Sequence, residues 1–168
     1  MAHKGTVLVI DDEESIRDTF RMIFDFEGYS LLTAGSGEEG LDIIEKEHPD
    51  IIFLDVKLPG IDGLDTLDKI RQSGIGTPVI MISGHGTIET AVEATKRGAF
   101  NFLEKPLERE RLVLLAKNAL ETSKLKAENR DLKLRFERNY RMVGSSPALV
   151  QLQQTIAKAA PTNATVNR

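Results

Sequence analysis

Five short runs, Thr6–Ile10, Tyr29–Ala34, Asp50–Leu54, Pro78–Ile82 and Ala99–Leu103, are apolar almost throughout and are separated by segments of helical pattern. Strands that alternate with helices in this way run parallel, in a sheet covered on both faces. Val7-Leu8-Val9-Ile10 and Val79-Ile80-Met81-Ile82 lack the polar alternation of a half-exposed strand, which is what burial on both faces requires. Between the runs, Ile16, Phe20 and Ile23 have helical spacing, and Gly28 suits a helix C-cap. Ser36 followed by Glu39 is a capping-box signature ahead of Leu41, Ile43 and Ile44. Leu64, Leu67 and Ile70 mark a third helix. Thr87 opens a fourth, with Ile88, Ala91 and Val92 expected inward and Gly98 just past its end. The expected fold is α/β, a five-stranded doubly wound parallel sheet with an extended C-terminal helix.

Several chemistries are excluded at once. The chain has no cysteine, so disulfides, thiolate metal sites and a cysteine nucleophile are out. Its three histidines, His3, His48 and His85, are scattered and make a poor metal set. No apolar run approaches the roughly 20 residues that span a bilayer, and Met1-Ala2-His3-Lys4-Gly5 leads into the first strand without a signal-peptide pattern. A cytoplasmic protein with no membrane partner is expected. Residues 1–106 carry 10 Lys+Arg against 20 Asp+Glu, whereas residues 107–141 carry 10 against 6. The acidic N-terminal body does not suit nucleic-acid binding, and mixed charge on the basic helix suits a solvated face.

In doubly wound folds the functional residues stand beyond the carboxyl ends of the strands. There the sequence places Asp11 and Asp12 after the first run, Asp55 after the third, Ser83 after the fourth and Lys105, followed by Pro106, after the fifth. Taken singly, each has an ordinary reading: a helix cap for Asp11 or Asp12, a turn for Asp55, a loop for Ser83, a surface charge for Lys105. Taken together, they converge on one edge of the sheet. Three crowded carboxylates call for a divalent cation, and hard oxygen ligands suit Mg²⁺. A carboxylate can attack phosphorus to form an acyl phosphate, here at Asp55. The metal and the Lys105 ammonium would offset charge on the equatorial oxygens, and the Ser83 hydroxyl could bind the phosphoryl group.

Val-Leu-Val-Ile-Asp-Asp-Glu-Glu (7–14), Asp-Ile-Ile-Phe-Leu-Asp-Val-Lys-Leu-Pro-Gly-Ile-Asp-Gly (50–63), Ile-Ser-Gly-His-Gly (82–86) and Phe-Leu-Glu-Lys-Pro (102–106) resemble the receiver domain of two-component response regulators, over about residues 4–120. The resemblance implies a flavodoxin-like receiver and a sensor histidine kinase as phosphodonor. It implies Mg²⁺ bound by Asp12, Asp55 and the backbone carbonyl of Lys57, with Asp11 assisting. It implies a cis Lys105-Pro106 peptide, a switch pairing Ser83 with Phe102, and tuning of the phosphate's lifetime by Lys57 and His85. Phe102 stands where a tyrosine is common in the family, so a phenolic hydrogen bond is excluded and inward packing remains; plain core is the other reading of this ring.

Glu108 to about Glu137 contains neither Pro nor Gly and reads as one helix of roughly 45 Å. Leu112, Leu115, Ala116 and Ala119 can pack on the sheet. Farther along, Leu115, Thr122, Asn129 and Phe136 repeat every seven residues, as do Asn118, Leu125, Leu132 and Asn139. As a and d positions they define the seam of a parallel homodimer, with Asn129 fixing register. Glu121 would meet Lys126 of a partner, and Glu128 would meet Lys133. A solvated single helix over 121–140, or receiver pairing through the fourth helix and fifth strand, are the alternatives. From residue 141 to 168, Met142-Val143-Gly144-Ser145-Ser146-Pro147 and Ala159 to Val166 resemble the opening of the central AAA+ ATPase domain of NtrC-type activators. No phosphate-loop motif or helix-turn-helix is present, so sigma-54 RNA polymerase and DNA would be partners only through domains not in this sequence.

Rival functions fit less well. A phosphohydrolase using Asp55 would need a second acid two residues on, where Lys57 stands. A purely structural dimerisation module does not need the acid cluster. A flavin site would need a phosphate-cradling loop after the first strand, where acids stand instead. The expected function is a non-enzymatic phosphoacceptor that controls dimerisation and a downstream ATPase.

Overall fold

In the computed structural model, which describes residues 3–142, the chain alternates strand and helix from end to end. The elements are β1 (Thr6–Ile10), α1 (Glu14–Glu27), β2 (Ser30–Ala34), α2 (Gly37–Glu47), β3 (Ile51–Asp55), α3 (Gly63–Gln72), β4 (Val79–Ser83), α4 (Ile88–Lys96), β5 (Asn101–Glu104) and α5 (Arg109–Met142). The five strands form one parallel sheet in the order β2-β1-β3-β4-β5. Strand order reverses between β1 and β3, the crevice where doubly wound folds carry their sites. The expected fold class is met.

Side chains alternate across each strand, and both faces of this sheet are covered. Val7, Val9, Ile51, Phe53, Ile80, Ile82 and Leu103 pack against Phe20 and Phe24 of α1 and Leu112, Ala116 and Ala119 of α5. Leu8, Ile10, Ile52, Leu54, Val79 and Met81 pack against Ile44 of α2, Leu67 and Ile70 of α3 and Ala94 of α4. This is why the strand sequences are continuously apolar: alternate residues feed two different cores. Phe20, Phe24, Tyr29 and Phe53 form an aromatic cluster on the first face, with centroid separations of 4.9–5.8 Å.

Helix ends follow the sequence signals closely. Gly28 closes α1 with φ 91°, a left-handed conformation that favours glycine. Ser36 caps α2 by accepting the Glu39 N–H. The return bond differs from a closed capping box, because Glu39 Oε2 accepts from Gly35 N–H at 2.9 Å rather than from Ser36. Asp62 and Thr87 cap α3 and α4 in the same way as Ser36. Ser36→Ala is expected to cost about 1 kcal/mol, read as a lowered urea midpoint with an unchanged m-value.

Some expectations need correction. Ile88 and Val92 face outward on α4, 85% and 47% exposed, and Ala94 is the buried residue. Spacing fixes which residues share a helix face but not which face turns inward. Here the small Ala94, with half-buried Ala91 beside it, lets α4 approach the sheet. Asp55 and Ser83 are the last residues of β3 and β4 rather than the first beyond them. Leu115 packs against the first core, which takes it out of a free seam.

The chain divides into two compact units, one ending at Ser123 and one beginning at Lys124. In the second, Leu125, Leu132, Leu134 and Phe136 are exposed on α5, and Asp131 pairs with Arg135 at 3.0 Å. The segment read as the opening of an ATPase domain lies, from residue 143 onward, outside the described residues. No helix among the described residues is long and apolar enough to cross a membrane.

Candidate functional site

Four strand ends bring the predicted residues together. Asp11 follows β1 and is fully buried, while Asp12 beside it is exposed. Asp55 ends β3 and Ser83 ends β4, each 4% exposed. Lys105 follows β5, and its N–H donates to the Ser83 carbonyl at 2.8 Å, which extends the β4–β5 ladder by one bond. The Lys105-Pro106 peptide is cis. Carboxylate oxygens of Asp11, Asp12 and Asp55 lie within 4.8 Å of one another.

The Lys105 ammonium reaches into this cluster. Nζ lies 3.1 Å from Asp11 Oδ2, 3.1 Å from Glu13 Oε1 and 3.3 Å from Asp55 Oδ2. It donates hydrogen bonds to Glu13 and Asp55. Asp11 Oδ1 accepts the Glu13 N–H at 2.9 Å, and Asp55 Oδ1 accepts the Lys57 N–H at 3.2 Å. Asp11 Oδ2 is buried without a hydrogen bond, the ammonium meeting it only as a charge.

Electrostatics follow from that crowding. Burial, then the charge of Asp11, pushes the Asp55 carboxyl up to about 6, against the opposing pull of Lys105 and the Lys57 N–H. Burial alone would lower Lys105, but Asp11, Glu13 and Asp55 outweigh it and hold the ammonium above the ordinary lysine range. One lysine therefore faces three acids. A buried carboxylate oxygen without a donor, inside a set of three hard oxygen ligands, fits a divalent cation of the Mg²⁺ kind.

The remaining predicted residues sit nearby in different ways. His85 is exposed, and its N–H donates to Ser83 Oγ at 3.2 Å. The Lys57 side chain is exposed, beside the cluster only through its backbone. Phe102 is half-buried against the α2–α4 side of the sheet. A Cβ at Gly86 would lie 2.7 Å from its ring and 3.5 Å from Ser83 Cβ, so the missing side chain is what admits the ring beside the β4 end. Thr122, Asn129, Leu125, Leu132 and Phe136 lie along α5 away from this cluster in sequence, and all but Thr122 are exposed. Sequence reasoning did not single out Glu13 as a lysine partner, nor Gly63 and Gly86. The run Asp11-Asp12-Glu13 would flag Glu13, but only the fold shows which acid the lysine reaches.

A doubly wound α/β domain with an acid triad and an inward lysine at its strand ends has the architecture of a signalling receiver domain. Residues 7–117 match the response regulator receiver domain family, and the chain belongs to that family. The nitrogen assimilation regulatory protein NtrX of Azorhizobium caulinodans is 44% identical over 99% of this chain and 36% of its own length. The C4-dicarboxylate transport transcriptional regulatory protein DctD of Pseudomonas aeruginosa is 34% identical over 95% of this chain and 36% of its own. These relatives are of the NtrC type, as the sequence resemblance implied. The chain spans about a third of the length of such curated relatives. Among solved structures, NtrX from Brucella abortus superposes with a TM-score of 0.77 at 47% identity, over 96% of this chain and 36% of that one. The receiver domain of the same protein gives 0.66 at 47% identity, over 69% of this chain and 98% of that one.

Proposed function

We propose that this receiver accepts a phosphoryl group on Asp55 from a sensor histidine kinase and passes the change through α5 to a transcription-activating output. The observation that carries the reading is the convergence of Asp11, Asp12 and Asp55 around Lys105 Nζ, with Asp11 Oδ2 left without a hydrogen bond. Asp12, Asp55 and the Lys57 carbonyl would hold Mg²⁺, with Asp11 assisting, and the ion would offset charge on the transferring group. Asp55 Oδ attacks phosphorus in line while the bond to the donor breaks. Lys105 then neutralises one phosphoryl oxygen and Ser83 Oγ donates to another. Bringing Ser83 toward the phosphoryl group opens the space it leaves to the Phe102 ring, which already lies against Gly86 and couples the site to the α4 side of the sheet. Lys57 and His85, at the site's rim, tune access of water.

Output runs through oligomer state. Thr122, Leu125, Asn129, Leu132 and Phe136 form the seam of a parallel coiled coil between two copies, with Leu115 retained by the receiver core. Pairing two exposed apolar stripes buries surface that a lone helix leaves in water. By the resemblance of residues 141–168 to NtrC-type activators, the controlled partner is an AAA+ ATPase domain that acts with sigma-54 RNA polymerase on DNA. Sedimentation with Mg²⁺, before and after beryllofluoride, tests this switch. The wild-type monomer–dimer equilibrium is expected to shift and that of Asp55→Ala to stay unchanged. A wild-type equilibrium indifferent to beryllofluoride would remove dimerisation from the output.

A further inference from the structure

Lys105 is held by three carboxylates, and one of them lies outside the cation-ready triad. Glu13 Oε1 is 3.1 Å from Nζ, closer than Asp55 Oδ2 at 3.3 Å. The backbone of Glu13 is fixed from both sides. Its N–H donates to Asp11 Oδ1 at 2.9 Å, and its carbonyl accepts the Ile16 and Arg17 N–H groups at 3.2 Å as the N-cap residue of α1. The side chain alone is free, and it crosses to the lysine.

The ammonium donates to Glu13 and Asp55 and faces Asp11 Oδ2 as a charge, so all three groups around it are carboxylates. If Asp55 is the phosphoacceptor, on which this inference rests, its Oδ forms a bond to phosphorus while the phosphorus–oxygen bond to the leaving group breaks. The leaving group departs with that electron pair. During transfer, while Asp55 still carries carboxylate charge beside Nζ, the incoming phosphoryl oxygens need a cation, so Lys105 must give up one partner. Asp11 is fully buried, and stripping it of its counter-charge is costly. The Glu13 side chain is 57% exposed and can return to water, whereas that of Lys105 is only 15% exposed and cannot leave with it.

We propose that Glu13 is a positioning residue that occupies Lys105 in the resting site, standing in for the phosphoryl group, and must be displaced for phosphorylation. Its pairing with Lys105 stabilises the resting site relative to the transfer state, in which the ammonium must serve the incoming phosphoryl oxygens while Asp55 is still charged.

The test compares wild type, Glu13→Gln, Glu14→Gln and Asp55→Asn, each given acetyl phosphate at saturating Mg²⁺ and followed by intact mass. Glu14 is the exposed neighbouring acid in the first turn of α1, and losing it changes the net charge equally. Glu13→Gln is expected to raise the phosphorylation rate about two- to fivefold, the range for a half-exposed ion pair, and Glu14→Gln to leave it unchanged. In metal-free protein without donor, the Lys105 Hε–Cε resonance is expected to move in Glu13→Gln and not in Glu14→Gln. An unchanged or slower rate in Glu13→Gln, an equal gain in both variants, or an unmoved Lys105 resonance would overturn the proposal. Phosphate incorporated by Asp55→Asn would instead sink the phosphoacceptor reading of Asp55, and the resonance would still decide whether Glu13 holds the lysine.

Discussion

Asp55→Asn is expected to abolish phosphate incorporation while making the metal-free protein more stable. Loss of incorporation follows from chemistry: an amide is no nucleophile toward phosphorus at neutral pH, and no other acid in the cluster ends the central strand. The gain in stability follows from the cost of the charge that the amide removes. Burial and Asp11 push the Asp55 carboxyl up to about 6 in the fold, above the ordinary aspartate value near 4. An acid raised in this way keeps its proton in the folded state at a pH where the unfolded chain has lost it. Native protein therefore binds more protons between about pH 4 and pH 6, and stability falls as pH rises through that window. At pH 7 the ionised carboxylate costs on the order of 3 kcal/mol. Asn removes the cost, retains an oxygen for the Lys57 N–H, and adds an amide donor facing the acid cluster that contains Asp11 Oδ2. Thermal melts without metal are expected to show wild type losing stability from pH 5 to pH 7 and Asp55→Asn losing less. Mg²⁺ at pH 7 should stabilise wild type more than the variant, because the ion's contribution depends on the carboxylate set. Equal pH slopes in the two proteins would mean that Asp55 carries no buried charge cost.

The fold was legible because two independent cores impose one sequence habit. Leu8 and Ile10 face one core and Val7 and Val9 the other, so the strand reads as a solid apolar block bounded by Asp11. The site was legible for a related reason. Parallel strands all end on the same edge, so residues scattered from Asp11 to Lys105 are forced together by topology alone. Topology does not, however, state which contacts are made. Whether Lys105 reaches Glu13 depends on side-chain rotamers and on the N-cap geometry of α1, which no spacing encodes. The outward turn of Ile88 and Val92 was lost for another reason: a nine-residue helix carries too few turns for its apolar residues to define one face against the other. On α5 the same residue served two readings. Leu115 fits both a core position and the first rung of a seam, and only packing decides between them.

Gly63→Ala is expected to cost roughly 3 kcal/mol or more and to disable the site with it. Gly63 is buried at the first position of α3, where Asp62 caps the helix through the Asp65 N–H at 2.8 Å. Its own N–H donates to the Val56 carbonyl at 2.8 Å. A methyl group there would overlap the Asp55 carbonyl oxygen and lie 2.7 Å from Val56 Cα and 2.8 Å from the Asp55 carbonyl carbon. All three are backbone atoms, so no rotamer change relieves the overlap. Either α3 withdraws, opening the core around Leu67 and Ile70, or the end of β3 moves. β3 is paired on both sides, to β1 and β4, so its displacement would carry Asp55 and Lys57 away from Asp11 and Lys105. Gly74→Ala supplies the contrast. Gly74 has φ 78° and open space around its would-be Cβ, so the substitution is strained by backbone conformation alone, about 1 kcal/mol. Urea titration is expected to separate the two variants clearly. Mg²⁺-dependent stabilisation should survive in Gly74→Ala and be lost or strongly reduced in Gly63→Ala. Two variants of equal cost would mean that α3 can slide on β3 without penalty. In that case the position of Asp55 would be set by its sheet neighbours and by Lys105, not by the seat of the helix that follows it.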